Sequence, residues 1–209
     1  DHTVLAFDLA FKYRTPVMVL ADGIIGQMME KVVLPPFKPR RTEEEIKEEC
    51  PWATLGKTKD RAPNIINSLE LHSEEMERIN LRLQGRYRAI EETEVRCEQI
   101  MCEDADYVIV AFGTMARVSQ KTMELARAEG LKVGLVRPIT LYPFPKNEIK
   151  ELSGRTKGIL TVEMNAGQMV EDVRLSTCGK VKVEYYGRMG GIVPSPAEVF
   201  EALKTKFEI

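Results

Sequence analysis

Clustered cysteine is missing from this sequence. The 209 residues include four cysteines, Cys50, Cys97, Cys102 and Cys178, and no C-x-x-C pair. Cys97 and Cys102 are expected on one helix, facing different directions, so they cannot clamp one metal. Iron–sulfur ligation calls for closely spaced cysteine runs, and those are absent too. The four therefore read as buried or surface thiols in a reducing compartment, which predicts a cytoplasmic protein. Histidine is scarcer still. His2 and His72 lie far apart, so neither a zinc site nor a Ser–His–Asp triad can be assembled. No apolar run approaches the ~18 residues that a membrane helix requires. Neither sign of charge dominates: 30 Lys and Arg against 32 Asp and Glu leave a formal −2. A protein whose main partner is nucleic acid usually carries a basic face, so that partner class is a poor fit. Neither G-x-G-x-x-G nor G-x-x-x-x-G-K-[ST] occurs.

What is present is material for a core. Hydrophobic residues make up 44% of the chain, close to the globular norm. The length suits one ordinary domain plus something extra. The chain opens on Asp1, and Thr3 to Ala10 already read as the middle of a folded element. It is expected to be a fragment of a longer protein.

Three zones follow. In residues 1–34, Leu5, Leu9 and Tyr13 keep helical spacing up to a break at Thr15-Pro16. Val17 to Ala21 is a continuous apolar run, as expected of a strand buried on both faces. Asp22-Gly23 turns the chain into a short amphipathic stretch, Ile24 to Val33. This is the tail of an α/β domain. In the second zone, 35–103, three prolines mark a stiff exit, and Thr42 to Glu45 has capping-box spacing. Residues 51–70 look irregular, with Trp52 as an anchor packed on a neighbour. A long helix is expected from Ser73. Its narrow stripe is Met76, Ile79, Leu83, Tyr87, Ile90, Cys97 and Met101, and at ~1.5 Å per residue it would reach ~45 Å. It reads equally as a subunit contact or an internal strut.

The third zone, 104–209, has a clear rhythm. Apolar runs at 107–112, 132–136 and 158–163 alternate with helical patterns, and 181–186 alternates as an edge strand would. Ser195-Pro196-Ala197-Glu198 combines an N-cap, Pro at the first helical position and a capping-box Glu. The fold class is α/β, doubly wound, with a mostly parallel sheet.

Three loops offer candidate sites. Phe112-Gly113-Thr114 joins a strand to a helix, where exposed N–H groups can hold an anion, although most such turns are only turns. Glu163, Asn165 and Gln168 leave the third strand of this zone at its carboxyl end, where α/β sheets gather ligands. They supply a carboxylate and two amides, but no nucleophile beside a base. Arg188, in a Gly-rich loop, suits a carboxylate or phosphate, or an ion pair with Glu163 or another local acid. These four are candidates for an interface or a structural loop. None is assigned a catalytic, cofactor-binding or metal-binding role.

The third zone resembles the C-terminal domain of transketolase-like thiamine enzymes, on Asp104 to Thr114 and Gly130 to Pro145. Within that group Arg137-Pro138-Ile139-Thr140-Leu141-Tyr142-Pro143-Phe144-Pro145, Val162 to Asn165 with Gly167-Gln168, and Tyr186 to Gly191 are similar to the 2-oxoacid:ferredoxin oxidoreductases. Asn64 to Leu69 and Glu91 to Arg96 point to the branched-chain, 2-oxoisovalerate subgroup, α subunit. The resemblance implies oxidative decarboxylation of a 2-oxoacid to an acyl-CoA. It implies thiamine diphosphate, Mg and iron–sulfur clusters in the full complex, with none held by this fragment. It also implies a pyrophosphate-binding β subunit, a ferredoxin-like γ subunit and ferredoxin as partners, in a homo- or hetero-oligomer. Residues 1–34 would end a pyrimidine-binding domain whose activating carboxylate lies upstream, so the fragment alone would be scaffold and interface. Two alternatives stand beside this one. They are a β subunit of another thiamine enzyme, of the 2-oxoacid dehydrogenase or transketolase type, and a free-standing small-molecule binding domain.

Overall fold

The computed structural model describes residues 1–54, 56–57 and 59–209. In chain order these residues form α1 (His2–Tyr13), α2 (Gly23–Gln27), α3 (Glu43–Glu49), α4 (Ser73–Thr93), β1 (Cys97–Ile100), β2 (Tyr107–Val110), α5 (Gly113–Ala128), β3 (Val133–Pro138), α6 (Lys146–Ser153), β4 (Gly158–Glu163), α7 (Met169–Thr177), β5 (Lys182–Gly187) and α8 (Pro196–Phe207). They divide into two units. One holds Asp1–Val17 and Glu30–Gly85; the other holds Met18–Met29 and Arg86–Ile209.

The first unit carries an aromatic and cationic stack. Trp52 lies against Phe11, ring centroids 6.0 Å apart, and the Arg14 guanidinium sits 4.9 Å over the indole. Trp52 is thus the anchor its sequence context suggested. Of the irregular stretch around it, residues 55 and 58 lie outside the described residues. Helix α3 starts on a complete capping box: the Thr42 hydroxyl accepts from the Glu45 N–H, and the Glu45 carboxylate accepts from the Thr42 N–H.

The second unit is built on a five-stranded sheet, ordered β1-β3-β2-β4-β5. Strands β2 to β5 run parallel and β1 pairs antiparallel to β3. Alternate side chains feed two cores, as the period of two demands. Ile109, Leu135, Leu160 and Val162 face α5 and α8, where Met115, Met123, Val199 and Leu203 close the layer. Val108, Val110, Val136 and Ile159 face α6 and α7, meeting Ile149, Leu152, Met169 and Val173. This is the doubly wound α/β sheet that the alternating runs predicted. At its β5 edge Lys182 lies 3.3 Å from Glu184, which Lys206 approaches at 3.8 Å.

Three expectations need correcting. Helix α4 stops at Thr93, 21 residues and about 31 Å long, instead of running on to Met101. At its end the Thr93 hydroxyl donates to the Ala89 carbonyl at 2.8 Å. Cys97 to Ile100 then forms β1, because the outer side of β3 would otherwise present an unpaired row of N–H and C=O groups. The pairing sets Glu98 opposite Arg137, 3.1 Å apart as an ion pair. Cys97 and Cys102 are therefore not on a helix: Cys97 lies in β1, and Cys102 is buried beneath β3, its thiol donating to the Leu135 carbonyl at 3.4 Å. Next, residues 17–21 form no strand, and Met18 and Leu20 are exposed. An apolar run becomes a strand only beside another strand, and no ladder of this sheet reaches it. Last, the stretch Ile24 to Val33 is helical only over α2.

Burial pushes the Cys102 thiol up to about 11. At pH 8 roughly one molecule in a thousand would carry the thiolate. A thiol reagent added to the native chain is expected to label exposed Cys178 and to spare Cys102 until denaturant is added. Mass spectrometry of the labelled peptides checks this, and equal native labelling of both would contradict the packing of Cys102 against β3.

Candidate functional site

Strand β4 ends on Glu163, which is 2% exposed. A carboxylate that deep needs partners, and it has four donors. Oε2 accepts from the Met169 N–H at 2.9 Å and the Asn165 side-chain amide at 3.0 Å. Oε1 accepts from the Val170 N–H at 3.0 Å. The Gln168 N–H reaches both oxygens, at 3.3 and 3.2 Å. Those backbone groups are the free N–H donors of the first turn of α7, which no helix can satisfy within itself. Glu163 is thus the cap of α7, supplied from the end of the preceding strand. Its charge also lies at the positive end of the helix dipole.

Asn165 locks the loop between them. Its Oδ1 accepts from the Gly167 N–H at 2.7 Å, and its backbone carbonyl accepts from the Tyr185 hydroxyl of β5. Burial pushes the Tyr185 hydroxyl up and the Glu163 charge adds to it, so the phenol stays a donor at neutral pH. Gly187 stands opposite Glu163 in the sheet, and a Cβ there would fall on the Tyr185 hydroxyl and 2.7 Å from the Asn165 carbonyl.

Of the four sequence candidates, the fold brings three together. Glu163 and Asn165 engage through their side chains, and Gln168 through its backbone N–H alone. The Arg188 N–H reaches the Glu163 backbone carbonyl at 3.3 Å, but its guanidinium turns away to Glu198 Oε1 at 2.9 Å. Glu198 completes the capping box of α8 with Ser195. Its carboxyl is held below the usual range by the Ser195 N–H first, then by the Ser195 hydroxyl, with Arg188 contributing less. Replacing Ser195 by Ala is expected to cost about 1 kcal/mol in a urea titration. A loss below a few tenths would mean that α8 is held by packing on α5 alone.

The Phe112-Gly113-Thr114 turn holds an anion, but one of the chain's own. Asp22 Oδ2 accepts from the Thr114 N–H at 3.2 Å, while Oδ1 accepts from the Ile25 N–H at 2.9 Å. Burial raises the pKa of this carboxyl, but the hydrogen bonds from Ile25 and Thr114 outweigh it and bring the net value down. Sequence reading missed Asp22 here. The signal was Asp22-Gly23, an N-cap ahead of α2, but the partner is 92 residues away. Also unforeseen is a cleft of about 370 Å³ between the end of α4 and the start of α6, lined by Arg88, Glu91, Glu92, Val95, Asn147 and Glu148. Among the described residues no three His, Cys, Asp or Glu side chains gather as metal ligands. No helix among them is long and apolar enough to cross a membrane.

With this geometry in view, residues 105–199 match the family model described as pyruvate:ferredoxin oxidoreductase core domain II. The sheet-bearing part of the chain is similar to that oxidoreductase domain. Across 98% of its length the chain is also 43% identical to ketoisovalerate oxidoreductase subunit VorB of Methanothermobacter thermautotrophicus, over 207 residues. It is 30% identical to 2-oxoglutarate synthase subunit KorA of Methanothermobacter marburgensis, across 97% of the chain. It covers 56% of the first relative and 60% of the second, so it spans little more than half the length of the relatives it matches. A solved 2-oxoglutarate:ferredoxin oxidoreductase from Magnetococcus marinus superposes on 66% of this chain, and on 24% of its own, with TM-score 0.58 and 23% identity. At that identity the likeness speaks for the fold. The α-subunit label expected from the sequence is not supported. Nearly the whole chain is matched both by a subunit lettered B of one enzyme and by a subunit lettered A of another.

Proposed function

We propose that this chain is part of a subunit of a thiamine-diphosphate-dependent 2-oxoacid:ferredoxin oxidoreductase of the ketoisovalerate type, serving as scaffold and partner surface. The observation that carries the reading is the 43% identity to a ketoisovalerate oxidoreductase subunit, sustained over 98% of the chain. In this reading residues 1–34 end a pyrimidine-binding domain, 35–103 link, and 104–209 are the domain that packs against other subunits. The full assembly would decarboxylate a 2-oxoacid to an acyl-CoA and pass electrons through iron–sulfur clusters to ferredoxin. Its partners would be a pyrophosphate-binding subunit and a ferredoxin-like subunit, in the cytoplasm.

At the start of α5 the Thr114 N–H is taken by Asp22, and among the described residues no three His, Cys, Asp or Glu side chains gather. No chemical step is therefore assigned to this chain. Glu163, Asn165 and Gln168 hold the loop at the carboxyl end of β4 in shape, and Arg188 braces the start of α8.

Anaerobic affinity purification of the tagged chain from its source cells tests the reading. Mass spectrometry should identify a thiamine-diphosphate-binding subunit and a Cys-rich ferredoxin-like subunit, and the recovered complex should reduce ferredoxin with 2-oxoisovalerate and coenzyme A. Neither subunit recovered, together with no such activity from the intact assembly, would overturn it.

A further inference from the structure

The segment Met18–Met29 belongs to the same unit as the sheet, yet little of it is packed. Met18, Val19, Leu20, Met28 and Met29 are exposed, and Met29 is fully so at 99%. Within 18–29 only Asp22 and Ile25 are partly buried. Both point to one place, the first turn of α5. Asp22 bonds the Thr114 N–H there, and a Cβ on Gly113 would meet Asp22 Oδ2 at 3.3 Å and Ile25 Cδ1 at 3.8 Å. Gly113 has φ +58, a left-handed conformation that glycine adopts without strain, and its missing side chain leaves the room that the two arms occupy.

We propose that Asp22 is a clasp that straps the Met18–Met29 segment to the start of α5, so that this segment can detach while the sheet stays folded. One carboxylate makes both connections. Oδ1 caps α2, the strap's own short helix, and Oδ2 fastens the strap to α5. The second bond gains from the positive end of a 16-residue helix. Against it stands almost no apolar burial, since among the described residues of the segment Ile25 is the one hydrophobic side chain that is even partly buried. A contact made by one charged hydrogen bond and one side chain opens far more readily than a core, because local opening costs only what the local contacts supply. Opening would uncover the first turn of α5 and the half-buried Ile25 side chain, beside an apolar run, 17–20, that is exposed already.

The two bonds of Asp22 can be separated. In Asp22→Ser the shorter side chain still caps α2 through the Ile25 N–H but falls short of Thr114. Hydrogen exchange of the full chain, followed by NMR, is the readout. The Thr114 amide is expected to exchange roughly tenfold faster in Asp22→Ser, as loss of one charged hydrogen bond predicts. Asp22→Ala should do the same or more, and the amides of β2 and β4 should keep their wild-type protection. If Asp22→Ser exchanges like the wild type at Thr114, Asp22 only caps α2 and the clasp is refuted. If β2 and β4 lose protection in step with the strap, the segment is an integral part of the fold and the proposal fails as well. Neither result bears on the oxidoreductase reading, which rests on partner recovery.

Discussion

Replacing Glu163 by Ala is expected to destabilise the sheet-bearing unit by about 4 kcal/mol. The substitution removes the acceptor for three backbone N–H groups and one amide at a site only 2% exposed. Water cannot easily replace it there, so the donors are left bare, and an unpaired buried donor costs more than its hydrogen bond was worth. Glu163→Gln should lose about half as much, because one carbonyl remains to accept while the new amide faces donors. Exchange protection of the β4 amides is the direct measure, and 4 kcal/mol corresponds to roughly a thousandfold. A loss of under 1 kcal/mol for the Ala variant would show that α7 is held by packing and that the carboxylate has some other task.

Gly187→Ala is expected to cost about 3 kcal/mol. The added methyl would overlap the Tyr185 hydroxyl and lie 2.7 Å from the Asn165 carbonyl. The tyrosine can swing away, but the carbonyl belongs to the loop that Glu163 organises. Relief must therefore come from the backbone between β4 and α7. Since both changes attack one knot, the double variant Glu163→Ala with Gly187→Ala should lose clearly less than the sum of the two. Strict additivity, again from exchange protection in β4, would mean the strand end and the β5 edge are independent.

The sheet-bearing half was legible because its signals are local. A strand covered on both faces is apolar over most of its length, as β2 is and as β3 and β4 are up to Arg137 and Glu163 near their carboxyl ends, Thr161 apart. The caps at Thr42 and Ser195 are fixed by four-residue spacings that no distant contact alters. The misses are all long-range. β1 is four residues of mixed polarity, and what makes it a strand is the open side of β3, some forty positions on. The run 17–21 has the composition of a buried strand and lacks only a neighbour. The candidate loop was found for a general reason, its place at a strand's carboxyl end. The task of Glu163 was not readable, because capping depends on where α7 begins relative to the last side chain of β4. Arg188 was left open to a bound carboxylate or phosphate, to Glu163 or to another local acid, and the fold pairs it with Glu198. Asp22 could not be linked to Thr114 from the sequence at all.

Glu163 grips α7 with both oxygens rather than one. A single acceptor would fix the helix at a point and leave it free to roll about its axis. Two acceptors a carboxylate's width apart fix its bearing as well. The outward side of α7, with Glu171, Asp172 and exposed Leu175, is therefore aimed by the plane of one carboxyl group at the end of a central strand. Whatever meets that side meets it in one orientation, set from inside the sheet.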